Sequence, residues 1–375
     1  MAAPSVSKGT MREAVPFETF ADFAKAFALG ERDLVITNDF LYEPFMKASQ
    51  LPCHFVMQEH YGTGEPSEEM MNQILHDLQG TDYDRVIAVG GGTVIDISKL
   101  FVLRGLTDVM DAFDKKIPLV KEKQLIIIPT TCGTGSEVTN ISIAEIKSRQ
   151  TKMGLADDAI VADNAVIIPE LLKGLPFKFY ACSAIDALIH AVESFLSPKC
   201  NPYTAIFSEA AWQIIIPVFQ KIRDKGPDYR FDCMGEMIMA SNFAGIAFGN
   251  AGVGAVHALS YPLGGTYHVP HGEANYQFFT EVFKAYERKA PAGQMQLLKE
   301  KLAKLMGCTP ATLFDEIDAL LSALIAKNAL HTYGMKEEEI EGFADAVIAT
   351  QQRLLANNYT PLTRDEIRDI YKALY

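Results

Sequence analysis

Asp186 and His190 stand four residues apart in an Ala/Leu-rich run, and His257 and His271 follow, fourteen apart across a Gly/Pro-rich stretch. A carboxylate and three imidazoles suit a divalent transition metal. In residues 183–195, SAIDALIHAVESF, the spacing puts Asp186 and His190 on one face of a predicted helix that Ser197-Pro198 stops. Three of the eight histidines fall in VHALSYPLGGTYHVPHG. His257 is expected in an apolar helix ending before Pro262, with His268 and His271 in the loop beyond. Taken singly, Asp186 also fits a helix cap paired with Ser183, and His190 a satisfied core histidine. Together the residues describe an open site of the catalytic type, and spacing leaves open whether His268 or His271 completes it. Three neutral imidazoles and one carboxylate leave a divalent ion with one net positive charge, enough to polarise a carbonyl and favour an alkoxide. Without thiolates the set admits iron, manganese, cobalt or zinc.

Upstream, the apolar run 85–89 leads straight into Gly90-Gly91-Gly92-Thr93, where a helix is expected to begin. Bare backbone N–H groups at the positive end of a helix accept a pyrophosphate. The spacing is not G-x-G-x-x-G, and Thr93 with Asp96 also fits a capping box. A second turn, Pro129-Thr130-Thr131-Cys132-Gly133-Thr134-Gly135-Ser136-Glu137, offers four hydroxyls after another apolar strand. Two such turns at strand ends are where open parallel sheets bind ligands. Thr37-Asn38-Asp39 ends an earlier strand, and Asp39 there is either a ribose-binding acid or an ordinary turn residue.

These residues need a scaffold, and the hydrophobic pattern supplies one. Runs at 34–37, 54–57, 85–89, 125–128 and 165–168 read as β-branched strands, with helical periodicity between them at 67–79 and 93–103. That alternation predicts a mostly parallel sheet covered on both faces. After about Pro176 the strands cease, and 181–196, 203–223, 234–248, 294–306, 311–328, 336–356 and 363–374 read as helices. The expected architecture is an α/β dinucleotide-binding domain over 1–178 and an all-α metal-binding domain over 179–375, with a cleft for ligand between them.

Composition narrows the class. A net charge of −13 argues against nucleic acid and against anionic membranes. The N-terminal twenty residues lack the apolar core of a signal peptide, and no apolar stretch is read as approaching the roughly 20 residues of a membrane span. Six scattered cysteines without a C-x-x-C pair suit reduced thiols in a cytoplasm.

Four stretches are specific in combination: Gly90-Gly-Gly-Thr-Val-Ile-Asp96, PTTCGTGSEVT at 129–139, IDALIHAVES at 185–194 and VHALSYPLGGTYHVPHG at 256–272. Through them the chain resembles the iron-containing (group III) alcohol dehydrogenases along nearly its whole length. The resemblance implies the dehydroquinate synthase-like fold, with a Rossmann-like N-terminal domain and a helical C-terminal domain. It implies NAD, with NADP as the alternative, a divalent metal (iron before zinc), and a homodimer. It carries the metal ligands onto Asp186, His190, His257 and His271. The cofactor contacts fall on Gly91, Gly92, Thr93, Thr130, Thr131, Thr134 and Lys152. Three departures stand out: a family histidine near the nicotinamide is Tyr261 here, His268 stands where other members often have a non-titrating residue, and the acid that commonly selects NAD aligns with Asn38, beside Asp39. His268 or Tyr261 is then the candidate for a proton relay. SYPLGGTYHVPHGEAN and the length are most similar to 4-hydroxybutyrate dehydrogenases, which interconvert 4-hydroxybutyrate and succinate semialdehyde. Another short aldehyde, diol or primary alcohol is the alternative substrate. A dehydroquinate-synthase-like lyase and a non-catalytic scaffold are the rival classes.

Overall fold

The computed structural model describes residues 14–149 and 151–375. The first thirteen residues, and with them most of the segment read for a signal peptide, lie outside the described residues. The chain divides into two compact units, Met1–Leu175 and Pro176–Tyr375. This boundary precedes the expected 178/179, because the first helix of the second unit already begins at Phe177.

The first unit contains β1 (Ala14–Pro16), β2 (Asp33–Thr37), β3 (His54–Met57), β4 (Arg85–Gly90), β5 (Gln124–Pro129), β6 (Ile141–Ile146), β7 (Thr151–Ala156) and β8 (Asn164–Ile167). Six of these form one sheet in the order β1-β8-β5-β4-β2-β3, every pairing parallel. Successive side chains alternate between its faces. Leu34, Ile36, Val86, Ala88, Leu125 and Ile127 enter one apolar layer, and Val35, Ile87, Val89, Ile126 and Ile128 the other. Burial on both faces is why these strands read as unbroken β-branched runs. Helices α1 (Phe20–Ala26), α2 (Asp39–Phe45), α3 (Glu68–Asp77), α4 (Gly92–Leu100) and α5 (Val109–Phe113) accompany the strands. Two features escape the sequence pattern: the three-residue edge strand β1 and the antiparallel β6–β7 hairpin, which is set apart from the main sheet.

The second unit is helical: α6 (Phe177–Leu196), α7 (Pro202–Lys225), α8 (Met234–Ala251), α9 (Ala255–Tyr267), α10 (His271–Lys289), α11 (Gln294–Met306), α12 (Leu313–Ser322), α13 (Glu339–Thr350), α14 (Gln352–Leu355) and α15 (Arg364–Leu374). By length and apolarity α6 would suffice to cross a membrane, contrary to the reading that no stretch does. It is instead the buried central helix of this unit, and it carries Asp186, His190 and Glu193 in its interior.

Three local expectations change. Helix α6 starts nine residues before Asp186, so Asp186 caps nothing; the Ser183 hydroxyl donates to the Tyr180 carbonyl instead. Helix α9 continues through Pro262 to Tyr267. His271 lies not in a loop but at the first position of α10, behind Pro270. The α8–α9 corner bends by 103° at Gly252, whose φ of +78° favours glycine. There a Cβ would also collide with the Asn357 side-chain amide.

Candidate metal centre

Helix α6 presents Asp186 and His190 from adjacent turns, α9 presents His257 from its first turn, and α10 opens with His271. One ligand atom from each lies within 4.8 Å of every other. The His190 and His257 Nε2 atoms are 3.0 Å apart. Asp186 carboxylate oxygens lie 3.9 Å from His190 Nε2, 3.8 Å from His257 Nε2 and 3.8 Å from His271 Nε2. Metal–ligand bonds of about 2.1 Å put ligand atoms roughly 3–3.5 Å apart, so a small contraction would close this set on one divalent cation. Asp186, His190 and His257 are buried, while the His271 side chain is 38% exposed, which marks the open side.

Supporting bonds aim these atoms. His257 Nδ1 donates to Glu193 Oε2 at 2.6 Å, leaving the Nε2 lone pair for the cation. The other Glu193 oxygen accepts the Val256 N–H at 2.8 Å, tying α6 to the start of α9. The Asn275 amide donates to Asp186 Oδ1 at 2.7 Å and lies 3.1 Å from His271 Nε2. Ser260 donates to the Asn275 carbonyl oxygen at 2.5 Å, which fixes the amide's orientation. Phe248 stacks on His190 with ring centroids 4.2 Å apart.

Electrostatics follow from this packing. Burial drives the Asp186 carboxyl toward its neutral form, but the three imidazoles and Asn275 reverse this and hold its pKa below the ordinary value. Burial likewise disfavours the charged form of His257. The Glu193 hydrogen bond and the charges of Glu193 and Asp186 outweigh it and raise the pKa, with Arg353 opposing them. A bound cation would compete with that proton.

Glu193→Gln keeps the shape but removes the charge that orients His257. We expect metal affinity to fall roughly 10–100-fold. Competition with a calibrated chelator measures this, and wild-type affinity in the variant would show that Glu193 supports nothing.

His268, the other histidine of the stretch, is exposed at the C-cap of α9 with φ +53° and falls outside the Asp/His group. Tyr261 is half-buried, its ring centroid 6.2 Å from that of His271.

In the first unit the two hydroxyl- and glycine-rich turns meet at the carboxyl ends of β4 and β5. A Cβ on Gly92 would approach Thr134 Cγ2 to 3.3 Å, and one on Gly91 would approach Thr131 Cγ2 to 3.5 Å. One on Gly90 would fall 2.6 Å from Val94 Cβ, so the strand-to-helix turn has no room for a side chain there. The hydroxyls of Thr37 and Thr131 are buried at the ends of β2 and β5 with no hydrogen-bond partner. Orphaned hydroxyls on the edge where open sheets bind ligands fit an absent polar group such as a dinucleotide. Thr130 is buried, and Thr93 donates to the Gly64 carbonyl at 2.8 Å. Lys152 pairs with neighbouring Glu65 at 2.6 Å. Asn38 is the buried N-cap position of α2, and Asp39 pairs with His60 at 2.7 Å.

The capping-box reading of Thr93 and Asp96 does not hold, because Gly91 is the cap. Asp96 accepts instead from Ser136 Oγ at 2.8 Å and from the Ile143 N–H at 3.0 Å. Lys99, fully buried, donates to Ser136 Oγ, Thr139 Oγ1 and the Ile141 carbonyl, so this pair clamps the second turn to α4. Burial pushes Lys99 below and Asp96 above their ordinary pKa values, and their mutual attraction opposes both shifts. Sequence reasoning missed Lys99, Glu193, Asn275 and Ser260. Only Glu193 offered a signal, one turn beyond His190 on the same apolar helix.

Two family models cover the chain: iron-containing alcohol dehydrogenase over residues 16–169, and the C-terminal region of that family over residues 180–375. The 4-hydroxybutyrate dehydrogenase of Clostridium kluyveri is 53% identical, with 96% of this chain and 97% of that one covered. The long-chain-alcohol dehydrogenase 1 of Geobacillus thermodenitrificans is 34% identical over 83% and 80% of the respective chains. Among solved structures, a sulfoacetaldehyde reductase from Bifidobacterium kashiwanohense in complex with NAD+ superposes with TM-score 0.84. Its identity is 22%, and 97% of each chain is covered.

Proposed function

This chain belongs to the iron-containing alcohol dehydrogenase family and is an alcohol dehydrogenase, and we propose that it reduces succinate semialdehyde reversibly to 4-hydroxybutyrate with NADH. The observation that carries the substrate is the near full-length likeness to the Clostridium kluyveri enzyme. In this reading Asp186, His190, His257 and His271 hold a divalent metal, iron first. Gly91, Gly92, Thr93, Thr130, Thr131, Thr134 and Lys152 serve the cofactor.

The metal supplies Lewis acidity toward a carbonyl oxygen, and the nicotinamide supplies the hydride. The protein's part is to aim and to exclude. Glu193 and Asn275 hold the ligand set in one orientation, and the burial of three of its four members leaves the His271 side for substrate. Proton delivery to the product oxygen fits the Tyr261 hydroxyl better than His268. What supports this is that Tyr261 neighbours His271, whereas His268 is exposed at the helix end.

A substrate ending in a carboxylate calls for a cation within a few carbon–carbon bonds of the carbonyl. Arg353, on α14, fits that role. Helix α14 packs against α9, and the Asn357 amide bridges the Arg353 carbonyl at 3.4 Å and the Val253 carbonyl at 3.1 Å. The Arg353 side chain is exposed and makes no ion pair among the described residues, and it is the cation that opposes protonation of His257.

The test is spectrophotometric turnover of the metal-loaded protein with succinate semialdehyde and with butanal, in wild type and Arg353→Met. Wild type should prefer succinate semialdehyde. The variant should raise its KM by roughly 10–100-fold, the worth of a charged hydrogen bond, while butanal changes little. Preference for butanal in wild type would sink the substrate reading. Equal effects on both aldehydes would sink only the role of Arg353.

A further inference from the structure

An acid at the end of the strand beside the glycine turn takes the ribose hydroxyls in many dinucleotide-binding sheets. Here the glycine turn follows β4, its neighbour on that side is β2, and the residue just after β2 is an amide, Asn38. The structure brings a carboxylate to the same corner from one strand further out. Strands β2 and β3 pair in parallel with Thr37 opposite Met57, so Gln58 and Glu59 emerge beside Asn38 and Asp39.

Glu59 is held there on both oxygens. Its Oε1 accepts the Asp39 N–H at 2.6 Å, and its Oε2 accepts the Asn38 side-chain amide at 2.7 Å. The same amide reaches Gln58 Oε1 at 3.3 Å. Gln58 is itself pinned through its Nε2 to the Gly62 carbonyl at 2.8 Å. Each Glu59 oxygen retains a lone pair, and the side chain is half-buried rather than sealed. Beside it the Asp39 carboxylate contacts His60, so two carboxylates and a single imidazole share the corner. The orphaned Thr37 hydroxyl closes the same strand end.

We infer that Glu59 takes over from the strand-end acid, accepting the adenosine ribose hydroxyls and selecting NAD over NADP. Asn38 is then a positioning residue: as an amide it donates to Glu59, which an aspartate at that position could not do. A ribose diol donates to such a carboxylate, whereas a 2′-phosphate would bring about two further negative charges against Glu59 and Asp39. This rests on the reading above that a dinucleotide lies along this edge of the sheet.

The test is direct binding of NADH and NADPH to the full-length protein by fluorescence titration, in wild type, Glu59→Gln and the double variant Asn38→Asp/Glu59→Gln. Pyrophosphate and nicotinamide contacts are common to both ligands, so the NADH:NADPH affinity ratio isolates the ribose corner. Wild type should favour NADH. Glu59→Gln should lower the ratio roughly tenfold or more, the scale of a charged hydrogen bond plus relief of phosphate repulsion. The double variant returns the charge to the end of β2, where the introduced glutamine amide can donate to the introduced aspartate, and should restore most of the ratio. An unchanged ratio in Glu59→Gln overturns the inference and leaves the dinucleotide reading standing. A fall that the double variant does not correct also overturns it, because Glu59 would then be only a structural support. Binding of neither nucleotide by wild type overturns both.

Discussion

Replacing His257 by alanine is expected to abolish metal retention and turnover while NADH binding survives. His257 offers the Nε2 closest to a second ligand, 3.0 Å from His190, and its tautomer is set by Glu193. Loss of a supporting partner alone costs roughly 10–100-fold in affinity, so loss of the ligand itself is expected to exceed about a hundredfold. Turnover should fall by at least roughly a thousandfold, because polarisation of the carbonyl is worth several kcal/mol. The variant also strands Glu193, buried and short of one partner, at about 1–3 kcal/mol or more. Stability must therefore be followed alongside. Metal content after gel filtration, read with an NADH titration, decides the matter. The candidate nucleotide contacts all lie in the first unit, so a folded protein that binds NADH without metal is the expected state. Unchanged metal content would sink the ligand assignment.

What could be read before folding has a physical boundary. Strands β2, β4 and β5 were legible because both faces are buried and the chain writes that burial as unbroken β-branched runs. Asp186 and His190 were legible as a pair because helical geometry alone puts them on one face. The support around them was not. Glu193 meets His257 across 64 residues and Asn275 meets Asp186 across 89, distances at which no local pattern operates. Helix α10 went unread because its first turn, His-Gly-Glu-Ala, follows a Gly/Pro-rich stretch and carries no aliphatic stripe. Pro262 gave a false stop, since a helix held by tertiary packing can lose one hydrogen bond and continue. Spacing could not choose between His268 and His271, because that choice depends on where α10 begins. Family likeness pointed to His271, and the geometry groups that residue with the other three.

Gly272→Ala is expected to damage the same site without touching a ligand. In an ordinary helix interior, alanine in place of glycine stabilises by roughly 0.5–1 kcal/mol, so the expected sign here is reversed. A Cβ at position 272 would lie 2.5 Å from the Cys182 carbonyl oxygen, 3.0 Å from its carbonyl carbon and 3.3 Å from Asp186 Cβ. The first two are backbone atoms in the middle of α6 and cannot swing aside, so the first turn of α10 must lift away. That turn carries His271, 3.8 Å from Asp186, and leads to Asn275, bonded to Asp186 at 2.7 Å. Overpacking of this kind costs about 1–3 kcal/mol, and a misplacement of about 1 Å at a reacting centre costs on the order of a hundredfold in rate. Thermal melting should therefore fall by several degrees, and metal content should fall with it. Gly342→Ala is the control: it lies within α13, and a Cβ there meets nothing within 4 Å. That variant should melt at or above the wild-type temperature with full metal. If Gly272→Ala did the same, α6 and α10 would not be in the close contact on which the four-residue site depends.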